Sequence, residues 1–383
     1  MIFFEFATVN RILFGAGKLN DLDRQIEKNT KRILFVRGSS SSAIPRLRDI
    51  LSAMGIPFTE YQVHGEPTIE VVRKGVEAAH SCDLVLGLGG GSVIDTGKAI
   101  AALVANPGNV MDYLEVIGRG RPLVHPPLPY IAIPTTAGTG AEVTRNAVLE
   151  SPEHSVKISL RSPLMLPRIA LVDPELTYDL PPEITASSGL DALTQLIEPF
   201  VSIKANPMTD AICREGMHYV ARFLRRAYRD GSDKEARQGM SIASLFGGLA
   251  LANAALGAAH GFAGPLGGML HAPHGALCAR FLPPVMEANI MAMESRQPEH
   301  PALGRYIEIA RILTGERDAT SLDGVRWVKE LADELKIPRL STYGMKAEDF
   351  PEAVEKTQKA SSFKGNPIGL NTNELIKSLE QAL

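Results

Sequence analysis

The sequence predicts two domains: an α/β domain built on a parallel sheet, and an all-helical domain that follows it. The chain has 383 residues, which is more than one hydrophobic core usually supports. Short apolar runs alternate with amphipathic runs in the first half, as they do in βαβ units. After residue 182 we find only helical periodicity. We therefore divide the chain near residue 180, into an α/β domain over 1–180 and a helical domain over 181–383.

Each element of the first domain is predicted from its local pattern. Buried strands are expected over 32–36, 57–63, 83–88, 130–133 and 168–172, where short runs rich in apolar and β-branched residues occur. Helices are expected over 43–54, 68–79 and 93–105, where apolar residues recur at helical spacing. Glycines and prolines lie mainly between these runs, which indicates separate strands and helices joined by turns.

The second half is predicted to contain only helices. Asn206 and Pro207 indicate a helix start, with asparagine as N-cap and proline at the first helical position, and Gly231 is expected to cap the other end. Further helices are predicted over 234–253, 275–288, 303–313, 322–335 and 373–382. An α/β domain followed by a helical domain commonly binds its ligand in a cleft between the two, so we expect the site there.

Composition excludes several classes of partner. The net charge is -3, which gives no electrostatic basis for binding nucleic acid or an anionic membrane. Cys82, Cys213 and Cys278 lack CxxC spacing, so we expect reduced thiols and a cytoplasmic protein. The first residues show no signal-peptide pattern. The apolar run over 241–268 contains a histidine and several glycines, and it is interpreted as a buried helix pair and not as a membrane span.

A glycine-rich turn follows the third predicted strand. Gly90, Gly91 and Ser92 lie between that strand and a helix. Glycines let the backbone approach a phosphate, and the helix N-terminus attracts the anion. The turn lacks GxGxxG spacing, and a tight turn without a ligand is the alternative. We predict that these three residues contact the pyrophosphate of a dinucleotide.

A second polar loop follows the next strand, over 134–144. Its threonines, Thr135, Thr136 and Thr139, offer hydroxyl groups that suit a phosphate or a ribose. Taken alone, such a loop would be interpreted as an ordinary connection without a ligand. Because the carboxyl ends of parallel strands meet at one edge of a sheet, both loops are expected to line the same crevice.

Four residues of the helical half indicate a metal site. Asp191 and Gln195 are four residues apart on a predicted helix and therefore share a face. His260 and His274 follow in a later segment. Carboxylate and imidazole ligands with an open position are typical of a catalytic metal centre. Each residue taken alone is more often structural.

Taken together, the motifs resemble those of the iron-containing (group III) alcohol dehydrogenases, in the same order over nearly the whole chain. The matching segments are 89–92 with Asp95 and Lys98 (GGGSxxDxxK), 134–144 (PTTAGTGxEVT), Lys157 with 173–176, 189–194 (GxDALT), 273–275 (PHG) and 364–367 (KGNP).

The resemblance implies a dehydroquinate synthase-like fold, in which an α/β nucleotide-binding domain precedes a helical metal-binding domain. By position, the metal ligands would be Asp191, Gln195, His260 and His274, and Lys157 would hold the nicotinamide ribose. Catalysis would then depend on Asp191, His260, His274 and Lys157. The metal would be Fe or Zn.

This chain departs from the family pattern at two of these positions. Gln195 stands where the family has a histidine ligand, and Gly264 stands where it has a further histidine. An amide oxygen is a poorer ligand than imidazole, so Gln195 is expected to be a weak or absent ligand. Three ligands remain, which is enough for a catalytic site.

The function that this resemblance implies is hydride transfer between NAD(P)(H) and a small alcohol or aldehyde. A keto-acid reductase of the maleylacetate reductase type is the first alternative, with Arg145, Arg161 or Lys204 meeting the carboxylate. A lyase like dehydroquinate synthase and a non-catalytic dinucleotide-binding relative are the others.

Two further expectations concern the cofactor and the assembly. In NAD-using relatives an Asp follows the first strand, whereas here Gly38 does, with Ser39 and Ser40 as donors and Arg37 as a source of charge. This favours NADP over NAD, because no carboxylate repels a 2′-phosphate. The apolar segment 3–14 resembles one that pairs across dimers in the family, so a homodimer is expected.

Overall fold

The computed structural model describes residues 3–39, 41–154 and 156–383. Ser40, one of the expected hydrogen-bond donors, lies outside the described residues. The chain forms two compact units. The sheet unit comprises residues 8–136 and 140–180, and the helical unit comprises 137–139, 181–383 and the described residues up to Ala7. The residues that pack with the helices therefore include two segments from the first half of the chain.

The sheet unit contains a six-stranded sheet and a two-stranded hairpin. The strands are β1 Arg11–Phe14, β2 Ile33–Arg37, β3 Phe58–Gln62, β4 Leu84–Gly89, β5 Tyr130–Pro134, β6 Asn146–Ser151, β7 Val156–Arg161 and β8 Ile169–Val172. The six-stranded sheet is parallel, in the order β1-β8-β5-β4-β2-β3. The helices of this unit are α1 Ala43–Met54, α2 Ile69–Ala78, α3 Gly91–Ala105 and α4 Val110–Tyr113. Short 3-10 turns cover Lys18–Arg24, Ala141–Val143, Pro152–His154, Pro163–Met165 and Pro174–Thr177.

The predicted parallel sheet with its helices is confirmed. Each predicted strand and helix of this unit is present. Sequence reasoning missed β1 and the antiparallel β6–β7 hairpin. The hairpin carries a signal that could have revealed it, because buried residues alternate at Ala147 and Leu149 and again at Ile158 and Leu160.

The sheet is covered on both faces. Alternate side chains of a strand point to opposite faces, and those of β2 divide accordingly. Ile33 and Phe35 pack with buried residues of α1, whereas Leu34 and Val36 pack with those of α2, α3 and the hairpin. A parallel sheet buried on both sides explains why its strands are nearly continuous apolar runs.

A buried lysine joins the hairpin and the second polar loop to α3. Lys98 is 1% exposed, and its Nζ donates to the carbonyls of Ala141 and Asn146 at 2.7 Å and to Thr144 Oγ1 at 3.0 Å. Its carboxylate partner is Asp95, at 3.3 Å. Asp95 Oδ2 accepts from the backbone N–H of Val148 in β6. The second half of the GGGSxxDxxK motif therefore holds the end of the second polar loop and strand β6 against α3.

Beyond Pro181 the described chain is helical, as predicted. The helices are α5 Pro182–Val201, α6 Pro207–Arg229, α7 Lys234–Ala254, α8 Ala258–Leu270, α9 His274–Arg296, α10 Pro301–Thr314, α11 Ser321–Glu334, α12 Phe350–Lys359 and α13 Thr372–Ala382. Short 3-10 turns cover Leu340–Tyr343, Ala347–Asp349 and Ser362–Gly365.

Two predicted helix ends need correction. Asn206 caps α6 as predicted, accepting from the N–H of Thr209 at 3.2 Å. The other end is Arg229, and Asp230 rather than Gly231 is its C-cap. Helix α9 continues eight residues beyond its predicted end at 288, because Pro283 and Pro284 lie inside the helix without ending it.

The long apolar run is the helix pair that was predicted, formed by α7 and α8. Among the described helices, none is long and apolar enough to cross a membrane alone. Together, α7 and α8 meet the length and composition criteria, with a bend of 100° between them.

Candidate functional site

Helix α5 places three buried polar side chains on one face. Asp191, Gln195 and Glu198 are separated by four and three residues, so they follow one another along the helix surface. Their exposures are 1%, 3% and 4%. Buried polar groups require partners, and those partners come from α5 itself and from the start of α8.

Glu198 binds the first turn of α8. Its Oε1 accepts from the backbone N–H of Ala259 at 2.7 Å and from that of His260 at 3.4 Å. Its Oε2 lies 2.6 Å from His260 Nδ1. One carboxylate therefore caps the helix and fixes the imidazole ring. With Nδ1 bonded to Glu198, His260 Nε2 points at Asp191 Oδ1, 3.4 Å away.

The KGNP motif supports this helix start. Asn366 Oδ1 accepts from the backbone N–H of Ala258 at 3.1 Å. A Cβ atom at Gly257 would lie 2.9 Å from both Asn366 Oδ1 and Glu198 Oε1. Only glycine fits there, because a side chain would push both capping groups away from the helix. A Cβ atom at Gly365 would lie even closer, 2.1 Å from a backbone oxygen of the preceding loop.

Helix α9 contributes His274 and Cys278, one turn apart. His274 Nε2 lies 3.5 Å from Cys278 Sγ and 4.0 Å from Asp191 Oδ1. One donor atom from each of Asp191, His260, His274 and Cys278 lies within 4.8 Å of the other three. The structure therefore brings three of the expected ligands together and adds a thiol that sequence reasoning missed. The signal that could have revealed it is the i, i+4 spacing from the histidine of the PHG motif.

The cluster is suited to a cation. Asp191 Oδ1 and His260 Nε2 are buried and have no hydrogen-bond partner among the described residues. Leaving such atoms unsatisfied costs about 1–3 kcal/mol each, and a divalent ion bound to both would remove that cost. Carboxylate oxygen, imidazole nitrogen and thiolate sulfur are all ligands of Zn and related metals.

Gln195 lies beside this group and binds Asp191. Its Nε2 donates to Asp191 Oδ2 at 3.1 Å, which leaves Oδ1 as the carboxylate oxygen that faces the histidines. Gln195 Oε1 has no hydrogen-bond partner among the described residues. It lies 3.2 Å from the position that a Cβ atom of Gly247 in α7 would occupy.

The pKa values reflect burial and the opposing charges of the cluster. Burial raises the pKa of Asp191, but its electrostatic interaction with the imidazoles of His260 and His274 outweighs burial and lowers the pKa overall. Burial raises the pKa of the Cys278 thiol to about 12. At neutral pH the Asp191 carboxylate is therefore ionised, and the Cys278 thiol stays protonated unless a metal ion displaces its proton.

The expected dinucleotide residues gather at one edge of the sheet. The order of strands reverses between β2 and β4, and ligands of such sheets bind beyond the carboxyl ends of the strands at this point. Gly38 follows β2, and its N–H donates to the carbonyl of Leu88 in β4 at 3.4 Å. Gly90 is the N-cap residue of α3, which Gly91 and Ser92 begin.

The second polar loop meets the first at this edge. The N–H of Thr135 donates to the carbonyl of Gly89 at 2.9 Å. A Cβ atom at Gly90 would lie 3.3 Å from Thr136 Cγ2, so the two loops are close enough to contact one ligand. Thr139 belongs to the helical unit, beside Gly138, whose Cβ position lies 2.6 Å from Ser188.

Three basic side chains of the sheet unit are engaged by carboxylates. Lys157 lies in β7, is nearly buried, and places Nζ 3.0 Å from Glu66 Oε1. Arg161 lies 3.4 Å from Glu115. Arg37 Nε donates to Glu60 at 2.7 Å.

Glu60 is shared by two arginines. Its carboxylate also accepts from Arg48. Hydrogen bonds from Arg48 and Arg37 lower the pKa of Glu60 to about 2, so it is ionised at neutral pH. One negative charge therefore faces two positive charges beside the end of β2.

Comparison with known proteins identifies the same family over both units. Residues 9–174 match the model of the iron-containing alcohol dehydrogenases, and residues 185–383 match that of the C-terminal part of the Fe-containing alcohol dehydrogenase family. Alcohol dehydrogenase 4 of Schizosaccharomyces pombe is 35% identical over 379 residues, covering 97% of this chain and 87% of that protein.

Solved structures agree with the sequence comparisons. The crystal structure of a 1,3-propanediol oxidoreductase is similar with a TM-score of 0.91, at 31% identity and covering 100% of both chains. Sulfoacetaldehyde reductase from Bifidobacterium kashiwanohense, solved with NAD+, is similar with a TM-score of 0.87, at 26% identity and covering 100% of this chain and 99% of that one.

Replacing Glu198 with glutamine tests how His260 is oriented. The Glu198→Gln amide can still accept from α8, but its NH₂ group would donate to His260 Nδ1 and move the imidazole proton to Nε2. We expect Zn²⁺ affinity to fall roughly 10- to 100-fold, as is usual when such a partner of a ligating histidine is lost.

Competition with a chromophoric chelator measures this affinity, and circular dichroism checks the fold. The matched control is Glu215→Gln, at an exposed position of α6, which should leave affinity unchanged. Equal affinity of Glu198→Gln and the unaltered protein would show that Glu198 does not orient a ligand.

Proposed function

The chain belongs to the iron-containing alcohol dehydrogenase family, and we propose that Asp191, His260 and His274 hold the divalent ion of its alcohol oxidoreductase reaction. The observation that carries this proposal is the pair of buried, unsatisfied atoms Asp191 Oδ1 and His260 Nε2, which face each other at 3.4 Å. Gln195 supports the site by binding Asp191. The ion is Fe or Zn.

The reaction is hydride transfer between a small alcohol or aldehyde and a nicotinamide dinucleotide. An ion held by Asp191, His260 and His274 would supply polarisation of the substrate oxygen and a lowered alcohol pKa, and a bound dinucleotide would supply the hydride acceptor or donor. Glu198 Oε2 lies 2.6 Å from His260 Nδ1, so a neutral imidazole that donates from Nδ1 to this carboxylate would present Nε2 to the ion. The His274 side chain is 35% exposed, so the cluster is open to solvent on this side, and solvent can take up the hydroxyl proton.

Gly264 leaves room in this region of α8. A Cβ atom there would meet no described heavy atom within 4 Å. The family pattern has a histidine at this position, so the chain replaces an imidazole with open space. We propose that the space admits substrate or water, and that water takes over any proton transfer that the imidazole would perform.

The cofactor residues are proposed from their place at the sheet edge. Gly90, Gly91 and Ser92 would hold the pyrophosphate, because they form the start of a helix after a strand. The other residues proposed to contact the dinucleotide are Gly38, Ser39, Thr135, Thr136, Thr139 and Lys157. Lys157 would exchange its contact with Glu66 for the nicotinamide ribose.

An alcohol or aldehyde is proposed as the substrate in preference to a keto acid. Arg161, one of the residues considered for binding a carboxylate, is already paired with Glu115.

We place the enzyme in the cytoplasm because its three cysteines are free thiols, as expected in a reducing compartment. We propose no nucleic-acid or membrane partner, since the net charge of -3 offers no attraction to either.

Metal dependence tests the function directly. We expect chelator-treated protein to lose alcohol oxidation, measured by formation of reduced cofactor, and to regain it with one Fe²⁺ or Zn²⁺ per chain. Asp191→Asn should reduce the rate at least ~100-fold, because the ligand loses its charge and about 3 kcal/mol of interaction is a factor of this size. Asp318→Asn, at an exposed position, is the control. Full activity in metal-free protein would refute the proposal and favour a site without metal.

Cofactor choice is proposed to depend on Gly38. A Cβ atom at Gly38 would lie 3.7 Å from Val93 Cγ2, an ordinary contact, so an aspartate fits there. Without it, the end of β2 carries the excess positive charge of Arg37 and Arg48 over Glu60. This supports a preference for NADP(H), whose 2′-phosphate is negative.

The matching variant is Gly38→Asp. We expect it to shift the ratio of NADPH to NADH dissociation constants at least ~10-fold toward NADH, measured by fluorescence titration, because the carboxylate repels a 2′-phosphate and accepts from a 2′-hydroxyl. Gly304→Asp, which adds the same charge at an exposed helical position, is the control. Tighter binding of NADH by the unaltered protein, or an unchanged ratio in Gly38→Asp, would show that this residue does not select the cofactor.

A homodimer is proposed from the segment 3–14. Phe3 and Phe4 are 85% and 46% exposed, and β1 lies at an edge of the sheet. Asn253 anchors the segment by accepting from the N–H of Ala7 at 2.7 Å and donating to its carbonyl at 3.0 Å. Light scattering should give twice the chain mass of 41.3 kDa, and Phe3→Ser with Phe4→Ser should shift the protein toward monomer. A single species of 41.3 kDa in the unaltered protein would exclude the dimer.

A further inference from the structure

The cluster on α5, α8 and α9 contains one more donor than the three ligands proposed above. We infer that Cys278, and not Gln195, completes the ligand set, so that the ion is held by one carboxylate, two imidazoles and one thiolate. This inference rests on the proposed metal site and specifies its chemistry. Its basis is the grouping of four donor atoms within 4.8 Å of one another.

Cys278 has the position that a ligand needs. It is fully buried on α9, and one helical turn separates it from His274, which places Sγ and Nε2 3.5 Å apart. In a tetrahedral site with bonds of about 2.0–2.3 Å, two ligand atoms are about 3.3–3.8 Å apart. The sulfur–nitrogen distance already falls within this range. The site is therefore built for an ion before one binds.

Cys278 also has buried, unsatisfied atoms opposite it. Its Sγ lies within 4.8 Å of a donor atom of Asp191 and of His260, and Asp191 Oδ1 and His260 Nε2 have no hydrogen-bond partner among the described residues. Cys213 and Cys278 are both buried in the core of the helical unit. Only Cys278 belongs, among the described residues, to the group of metal-ligand side chains whose donor atoms lie within 4.8 Å of one another, and this grouping indicates a ligand.

The side-chain amide of Gln195 is held by contacts outside the group of four donor atoms. Its Nε2 donates to Asp191 Oδ2, and its Oε1 lies against Gly247 of α7. To ligate the ion through oxygen, the amide would have to give up its hydrogen bond to Asp191. Leaving that bond in place keeps Asp191 oriented, and the thiolate is the stronger ligand.

The change of ligand alters the preference for metals. Thiolate is softer than imidazole and favours Zn²⁺ over harder divalent ions. As the metal–sulfur bond forms, the thiol proton passes to solvent. Carboxylate and thiolate together then balance the two positive charges of the ion. Four protein ligands fill a tetrahedral site, so the substrate oxygen would enter as a fifth ligand, in the five-coordinate geometry that catalytic zinc sites reach during the reaction.

Two measurements on the full-length protein test the inference without relying on activity. Co²⁺ is loaded in place of the native ion, and a thiolate-to-Co²⁺ charge-transfer band in the near ultraviolet is expected beside the visible d–d bands. X-ray absorption of the Zn²⁺ form should show one sulfur at about 2.3 Å. The second measurement needs no variant, so it holds even if a substituted protein folds poorly.

The variants separate Cys278 from the other thiols. Cys278→Ser and Cys278→Ala should lose the charge-transfer band and bind Zn²⁺ at least ~100-fold more weakly by chelator competition. Cys213→Ala, a buried cysteine of the same unit, and Gln195→Ala should both keep the band. A band that persists in Cys278→Ser, or Zn²⁺ without sulfur in its first shell, would overturn the inference.

The result also distinguishes this inference from the proposed metal site itself. Cobalt d–d bands without a thiolate band would refute Cys278 as a ligand and leave the three-ligand site standing. Failure of the unaltered protein to take up Co²⁺ or Zn²⁺, with no difference between it and Asp191→Asn, would refute both.

Discussion

The contact on which the candidate site depends most is the one between Glu198 and the first turn of α8. A buried carboxylate with an exposure of 4% is tolerable only with several strong partners. Here the partners are two backbone N–H groups and an imidazole nitrogen. Glu198 therefore helps to hold the start of α8 and also orients the imidazole ring. Without Glu198, no contact at Nδ1 would hold the His260 ring in the orientation that directs Nε2 toward Asp191.

The glycines of the family motifs serve the same requirement for close approach. At Gly257 a side chain would collide with Glu198 and Asn366, and at Gly89 a Cβ atom would lie 2.5 Å from Val93. The first collision would displace the cap of α8, and the second would open the turn that begins α3. Each motif therefore holds a helix N-terminus in place, one in each unit. Their positions within the motifs follow from backbone geometry as well as from ligand chemistry.

Much of the fold was predictable because its elements have strong periodic signals. The strands of the parallel sheet are buried on both faces and appear as apolar runs. The start of α6 is indicated by Asn206 and Pro207. The β6–β7 hairpin was missed because its strands include Asn146, Glu150 and Lys157, which interrupt an apolar pattern. The length of α9 was missed because a proline within a helical pattern usually indicates a helix end. Here Pro283 and Pro284 both lie inside the helix.

The site was predictable only in part, because spacing along the chain shows which residues share a helix but not which helices meet. Asp191, His260 and His274 could be named from the motifs. Glu198 and Cys278 could not, although each lies one turn from a named residue, because neither belongs to the motifs and the sequence does not show that their side chains are buried in one cluster.

The comparison of positions 195 and 278 shows what the three-dimensional arrangement adds. In the sequence, Gln195 occupies the position at which the family pattern has a histidine ligand. In the structure, α5 contributes Asp191 to the cluster, while α9 contributes both His274 and, four residues later, the thiol of Cys278. A donor lost from one helix can therefore be replaced on the other without moving either, since the i, i+4 geometry is the same. The amide that remains on α5 then acts on Asp191 and not on the ion, so the substitution relocates a ligand within a cluster whose framework is unchanged.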